Sequence, residues 1–176
     1  FPGAGYLEMA RAAAATEAAL HGTFFLQPLV LEAPGLLIEC AISDGHFEVG
    51  SGTGDDVSVH CSGTLTSGSS GGWHDIEQAV VRACAAASAA DVGALYDRFD
   101  AVGLQYGPGY RTLREAWGSF GAAAARLRVR QSREGTAVHP ADLDDALCVG
   151  ALVSGGGAGG ETRLPFAVDD ARLQEA

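Results

Sequence analysis

Apolar positions along the chain recur with two periods, and their order gives its plan. Leu7, Ala10, Ala14 and Ala18 keep helical spacing through an alanine-rich run after Pro2-Gly3-Ala4-Gly5. This predicts a close-packed helix reaching Leu20 and ended by His21-Gly22. The period then shortens. Residues 23–30, 35–43, 47–49 and 57–65 read as strands separated by Gly/Asp turns. A polar Ser/Gly linker at 67–72 follows, and helical spacing returns over 76–87 and 92–102, where Leu95, Tyr96, Phe99 and Val102 form a stripe. Residues 103–110 are turn-rich, 112–120 and 122–130 read as strands, and a helix is predicted over 139–153. Pro140 suits its first turn, where a missing N–H costs nothing. Leu143, Ala146, Leu147 and Ala151 form its apolar stripe, and a last strand starts near residue 163, beyond a Gly-rich loop at 154–160. Strands round one long helix, twice over, is an α+β plan. Its parts are 1–66, a linker with connecting helices at 67–102, and 103–176.

Composition narrows this plan. With 176 residues, 47% of them hydrophobic, the chain can build a real core. The net charge is −11, and every basic residue other than histidine is an arginine. This argues against a nucleic-acid partner, which calls for a basic stripe; a small-molecule site or a protein carrier is compatible. No apolar run reaches membrane-spanning length and no signal peptide is visible, so a cytoplasmic location without membrane association is expected. Cys40, Cys61, Cys84 and Cys148 are widely spaced in apolar surroundings, which reads as buried, reduced thiols without metal-ligand spacing. The first residue is Phe1 rather than Met, as expected of a piece of something longer.

The helix at 139–153 carries the candidate chemistry. Asp144 follows Leu143 at the rim of the stripe, whereas Asp142 and Asp145 are expected to point further toward solvent. Two readings stand. The three acids favour the helix N-terminus electrostatically, or Asp144 is a proton donor whose burial raises its pKa. Free amides near Gly3 and Gly5 either bind an oxyanion or only make a turn. His60, alternating with apolar neighbours, reads as structural. Cys148 is a poor nucleophile, because no base is placed beside it and apolar surroundings raise a thiol pKa.

Several stretches then carry a resemblance. Pro2-Gly3-Ala4-Gly5-Tyr6-Leu7-Glu8-Met9-Ala10 resembles the start of the first hot-dog helix in dehydratase domains of modular polyketide synthases. Gly103-Leu104-Gln105-Tyr106-Gly107-Pro108-Gly109-Tyr110 resembles their Tyr-Gly-Pro-x-Phe motif, with Tyr110 in place of Phe. His139-Pro140-x-x-Leu143-Asp144 resembles the segment holding their catalytic aspartate, and Arg163-Leu164-Pro165-Phe166 a late strand. These stretches stand in family order over nearly the whole chain.

The resemblance implies a double hot-dog fold, two antiparallel sheets each wrapped around a long central helix. It implies dehydration of a β-hydroxyacyl thioester held on the phosphopantetheine of an acyl carrier protein, without a further cofactor or a metal. The chemistry needs a base at Cα and an acid at the β-oxygen. By the resemblance Asp144 is the acid, Tyr106, Gly107, Pro108, Gly3 and Cys148 face the substrate, and His139, Pro140 and Pro2 belong to supporting motifs. Neighbouring synthase domains and a second copy of the chain are the implied partners besides the carrier.

Two departures accompany it. The family's histidine base would fall before residue 1, and none of His21, His46, His60, His74 or His139 occupies its place. Cys148 stands where the family has Gln or His, a weaker donor toward Asp144. The chain is expected to lack the opening strands of the first hot-dog and the closing strands of the second. Alternatives are an inactive hot-dog scaffold or dimerisation module, and a double-bond isomerase or cyclase of the same fold.

Overall fold

A computed structural model describes residues 1–14, 18–31, 35–52, 56–67, 88–153 and 166–171. The chain forms two compact units. The first contains 1–71 with 134–140 and 165–176, and the second 72–133 with 141–164. Both combine antiparallel strands with helices, as the α+β reading expects.

In the first unit, α1 (Gly3–Ala13) starts after Pro2, which is extended at φ −75°, ψ 142°. Its buried positions include Ala4, Tyr6, Leu7 and Ala10. These face β1 (Ala18–Phe25), β2 (Ile38–Ser43) and β3 (His46–Ser51). With β4 (Ser58–Ser67) and β8 (Ala167–Ala171) they make one antiparallel sheet in the order β2-β3-β4-β1-β8. Phe47, Val49 and Cys61 are fully buried beneath it. Asp44-Gly45 turns β2 into β3 with both residues at positive φ, 49° and 74°. That conformation matches the twist of a two-residue hairpin and suits an Asp-Gly pair.

The helix is shorter than its alanines suggest. Leu20, His21 and Gly22, assigned by spacing to the helix and its end, lie inside β1, where Leu20 and His21 pair with both β4 and β8. Alanine favours a helix only mildly, and the sheet's two flanking partners outweigh that propensity. The strand expected over 23–30 therefore lies earlier, at 18–25. The final strand departs from the plan as well: β8 joins the first sheet rather than the half at 103–176, and 134–140 belongs to the first unit with it.

In the second unit β5 (Ser88–Ala90), β6 (Leu113–Ser119) and β7 (Ala122–Leu127) form a three-stranded sheet in that order. Helix α2 (Val92–Ala101) begins at Asp91, whose side chain accepts from the Ala94 amide at 3.0 Å, an ordinary N-cap. It buries Leu95, Tyr96 and Phe99 with Leu113 and Val149, while Val102, expected in that stripe, is 49% exposed. Helix α3 (Pro140–Cys148) runs into a 3-10 turn over Val149–Leu152, so the expected 139–153 helix tightens at its end. Gly118 explains the seat of that turn. A Cβ there would collide with the Leu152 carbonyl, so only glycine lets the turn lie against β6.

The stripe of α3 is rotated from the expected one. Ala146 and Ala151 are exposed, and Ala141, Asp145 and Val149 are the buried positions at four-residue spacing. Asp145 is fully buried, not solvent-facing. The 68–72 part of the linker, the helix expected over 76–87, the loop at 154–160, His74, Cys84 and 163–165 lie outside the described residues. Among the described residues no helix is long and apolar enough to cross a membrane.

Candidate active site

Asp144 lies in the middle of α3, half-buried, within a polar cluster supplied by one loop and one helix. The loop is 104–112, which turns through a short 3-10 segment at Pro108–Tyr110. Two arginines fix it. Arg111 donates to the Tyr106 carbonyl at 2.8 Å and lies over the Tyr96 ring, 5.3 Å from its centre. Arg130 donates to the Gly109 carbonyl at 2.8 Å and to the Asp142 carboxylate at 2.7 Å, tying the loop to the first turn of α3. Asp142 thus serves the loop instead of only facing solvent.

Held this way, the loop directs Tyr106 at the helix. Its hydroxyl is 3.1 Å from the Cys148 thiol, and the Asp144 carboxyl is near enough to act on it. Its ring is braced by Tyr96 and Phe99, with centres 5.8 and 5.6 Å away. Burial, followed by the neighbouring Cys148 and Asp144, pushes the phenol well above its ordinary value, so it stays a donor. Burial also raises Asp144 above the usual carboxylate range, and the charge of Asp145 adds to this, while the Tyr106 bond opposes it. The Cys148 thiol is pushed up to about 11, first by burial. Tyr110 is raised by burial and by Asp144, which makes it a further neighbour of that carboxyl. Together these give a carboxyl that holds its proton more strongly than usual, with a neutral phenol and a neutral thiol beside it.

Beneath this cluster Asp145 accepts from Tyr96 Oη at 2.7 Å and from the amide and hydroxyl of Thr112 at 2.5 and 2.6 Å. Tyr110, Asp145, Tyr96 and Thr112 were not singled out for chemistry by the sequence. The four-residue spacing of Ala141, Asp145 and Val149 was the available signal for Asp145, but a charged residue at a core position is rare unless paired.

The remaining expected site residues lie elsewhere. Gly107 and Pro108 are exposed, and the Gly107 carbonyl accepts from the Tyr110 amide at 2.9 Å, closing the turn. Gly3 opens α1, but the Gly5 amide donates to the Pro2 carbonyl at 2.9 Å and is not free for a ligand. Gly5 has a packing reason of its own, since a Cβ there would run into the Phe1 ring. Pro140 is the first residue of α3, and His139 before it has its ring 3.8 Å from the Glu134 carboxylate. Glu8 accepts from Arg11 at 2.8 and 2.7 Å and from the Ala137 amide at 2.9 Å, so α1 anchors the segment leading into α3.

The described histidines are engaged. His21 pairs with Asp170 and lies 2.8 Å from Thr66 Oγ1. His46 donates to the Gly63 carbonyl at 2.6 Å. His60 is buried, stacked on Tyr6 and bonded to Ser51 at 2.7 Å, which fits a structural part. The described residues of the second unit include no histidine. Cys40, Cys61 and Cys148 are free thiols, and among the described residues no cluster of His, Cys, Asp and Glu could hold a metal.

Comparison with known proteins supplies the family. The sequence model of the polyketide synthase dehydratase N-terminal domain matches residues 74–176, more than half of the chain. The chain belongs to the polyketide synthase dehydratase family. This dehydratase chain is 32% identical to polyketide synthase GfsE of Streptomyces halstedii, over 94% of its own length and 5% of GfsE. It is 34% identical to polyketide synthase ThaG of Burkholderia thailandensis, over 83% of its length and 3% of ThaG. Thus it spans a small fraction of each synthase. Among solved structures it is similar to the dehydratase domain from the CurF module of curacin polyketide synthase, with TM-score 0.81 and 19% identity, covering 99% of this chain and 69% of that one. That likeness establishes the hot-dog dehydratase fold.

Proposed function

We propose that the chain removes water from a β-hydroxyacyl thioester carried on the phosphopantetheine of an acyl carrier protein, giving an α,β-unsaturated thioester. The observation that carries this reading is the half-buried Asp144 carboxyl, held toward its protonated form by burial and by Asp145, with the Tyr106 hydroxyl near it. Hydroxide is a poor leaving group, and a carboxylic acid beside the β-oxygen lets the hydroxyl leave as water. Asp144 gives the proton. Tyr106 donates to Asp144 and steadies the carboxylate that forms. The α-proton goes to a histidine supplied from outside these 176 residues, as the family pattern implies.

Substrate contacts at Gly107, Pro108, Gly3 and Cys148 belong to the same proposal, with His139, Pro140 and Pro2 as supporting residues. No cofactor enters the reaction, because β-elimination moves protons and needs no electron carrier. The partners are the acyl carrier protein, neighbouring synthase domains and a second copy of the chain, in the cytoplasm.

The test is mass spectrometry of a β-hydroxyacyl pantetheine thioester incubated with the chain, alone and extended upstream through the expected histidine. Loss of water by the extended form, abolished by Asp144→Asn, is expected. An Asp144→Asn variant that dehydrates at the unaltered rate would sink the assignment.

A further inference from the structure

Adjacent acids on α3 differ in burial, and the fully buried one has the better bonding. Asp145 is fully buried, and its two carboxylate oxygens take three donors: Tyr96 Oη at 2.7 Å, and the Thr112 amide and hydroxyl at 2.5 and 2.6 Å. A buried carboxylate that accepts only and is met only by donors is a fixed junction.

The elements meeting there are those that build the candidate site. Tyr96 is on α2, and its ring lies against Tyr106, 5.8 Å between centres. Its hydroxyl, while donating to Asp145, accepts from the Leu113 amide at 3.3 Å at the start of β6. Thr112 is two residues beyond Tyr110 and closes the loop that carries Tyr106, and the Thr112 carbonyl accepts from the Arg128 amide at 2.7 Å. Asp144, next to Asp145 on α3, interacts with the Tyr106 hydroxyl, which lies 3.1 Å from the Cys148 thiol one turn further on. One carboxylate therefore ties the brace behind Tyr106 and the end of its loop to the helix bearing Asp144.

We propose that Asp145 is a positioning residue, a buried clamp that holds the Tyr106 hydroxyl against Asp144 by fixing Tyr96 and Thr112 to α3. The clamp rests on the proposed dehydration for its catalytic meaning, but its geometry is independent of it. An amide cannot replace the carboxylate. Asn offers one accepting oxygen where Asp145 offers two, and its NH2 would face a donor.

Two variants separate positioning from bulk stability. Asp145→Asn keeps the shape and removes charge and acceptor. Thr112→Val keeps the carboxylate, the shape and the net charge, and removes one donor. Two readouts apply to each. The first is dehydration of a β-hydroxyacyl pantetheine thioester by the chain extended through its upstream histidine. The second is the rate at which iodoacetamide alkylates Cys148, followed by peptide mass spectrometry. Cys148 reports the position of Tyr106 directly, because its thiol contacts that hydroxyl.

Both variants are expected to lower kcat with KM little changed, Asp145→Asn by about 10- to 100-fold, as misplaced catalytic groups do. Withdrawal of the Tyr106 hydroxyl, which favours the Cys148 thiolate, is expected to slow Cys148 alkylation severalfold in Thr112→Val, where the charges around the thiol are unaltered. A core variant of the first unit, Phe47→Leu, lowers the melting temperature without changing either readout. If both site variants melt earlier yet keep the unaltered kcat and alkylation rate, Asp145 is only a structural residue and the proposal falls. If the unaltered protein loses no water, the dehydration reading falls alone, and the alkylation rates still decide the clamp.

Discussion

The Tyr106 hydroxyl and the Cys148 thiol meet at 3.1 Å, although 42 residues separate them in the chain. The contact joins a loop to the last turn of α3, and the Asp144 carboxyl lies at the same point. A group that favours the ionised carboxyl is thereby placed beside one whose ionisation burial opposes.

Tyr106→Phe removes that donor. An acid works while protonated, so dehydration is lost as pH rises through the Asp144 pKa, which is raised here. Without the Tyr106 bond it rises further. The alkaline limb of the kcat/KM profile therefore moves to higher pH in Tyr106→Phe, and the plateau falls about 10- to 100-fold with the lost hydrogen bond in the transition state. A profile superimposable on that of the unaltered protein contradicts the arrangement.

Asp144→Asn has the opposite effect on stability from its effect on activity. The folded state binds the Asp144 proton more tightly than the unfolded chain does, so stability is lost as pH climbs from the ordinary aspartate value through the raised one. Asn removes that loss. The variant should melt higher than the parent at neutral pH, and the two should melt together near pH 3, about a unit below an ordinary aspartate. Thermal melts across pH measure this.

Glu8 titrates the other way. Burial opposes its charge, but the Arg11 guanidinium and the Ala137 and Val138 amides together hold it below the usual glutamate value. Its contribution is present above that value and is lost as pH falls through the lowered one. Glu8→Gln should cost about 1–3 kcal/mol at neutral pH, as removal of a buried charged acceptor does. Denaturant titrations of the two proteins should converge as the solution is acidified.

Gly118→Ala tests the seat of the 3-10 turn. The added methyl meets the Leu152 carbonyl, which is backbone and cannot turn aside. Overpacking of this kind costs about 1–3 kcal/mol. Gly107→Ala adds a methyl to open space and should leave the melting temperature within a degree or two, since exposed substitutions typically cost under about 0.5 kcal/mol.

The strands and helices of the plan were legible where one period held for a whole element, as in β6 or α2. They were illegible where a distant partner decided. Leu20 and His21 follow a run of alanines, and only their pairing to Leu65 and Thr64 on one side and Ala171 and Asp170 on the other makes them strand. Asp144 was singled out by its motif, and it lies half-buried, as the rim position read from the spacing expects. Asp145 was misread because its three donors come from α2 and from Thr112 at the end of the 104–112 loop, which no local pattern connects to α3. Tyr110 carried a visible signal, a hydroxyl where the resemblance has Phe, but its nearness to Asp144 depends on the turn at 108–110.

The pairing of β8 with β1 affects the order in which the chain can be made. His21 waits for Asp170, 149 residues later. On a ribosome adding about 5–20 residues per second, one side of β1 stays open for roughly 7–30 s after it emerges. The whole second unit is synthesised in that interval. An unpaired strand is a template for the wrong neighbour, so a chaperone or a preceding part of the same polypeptide that covers β1 would raise the yield of correctly folded protein without taking part in the chemistry.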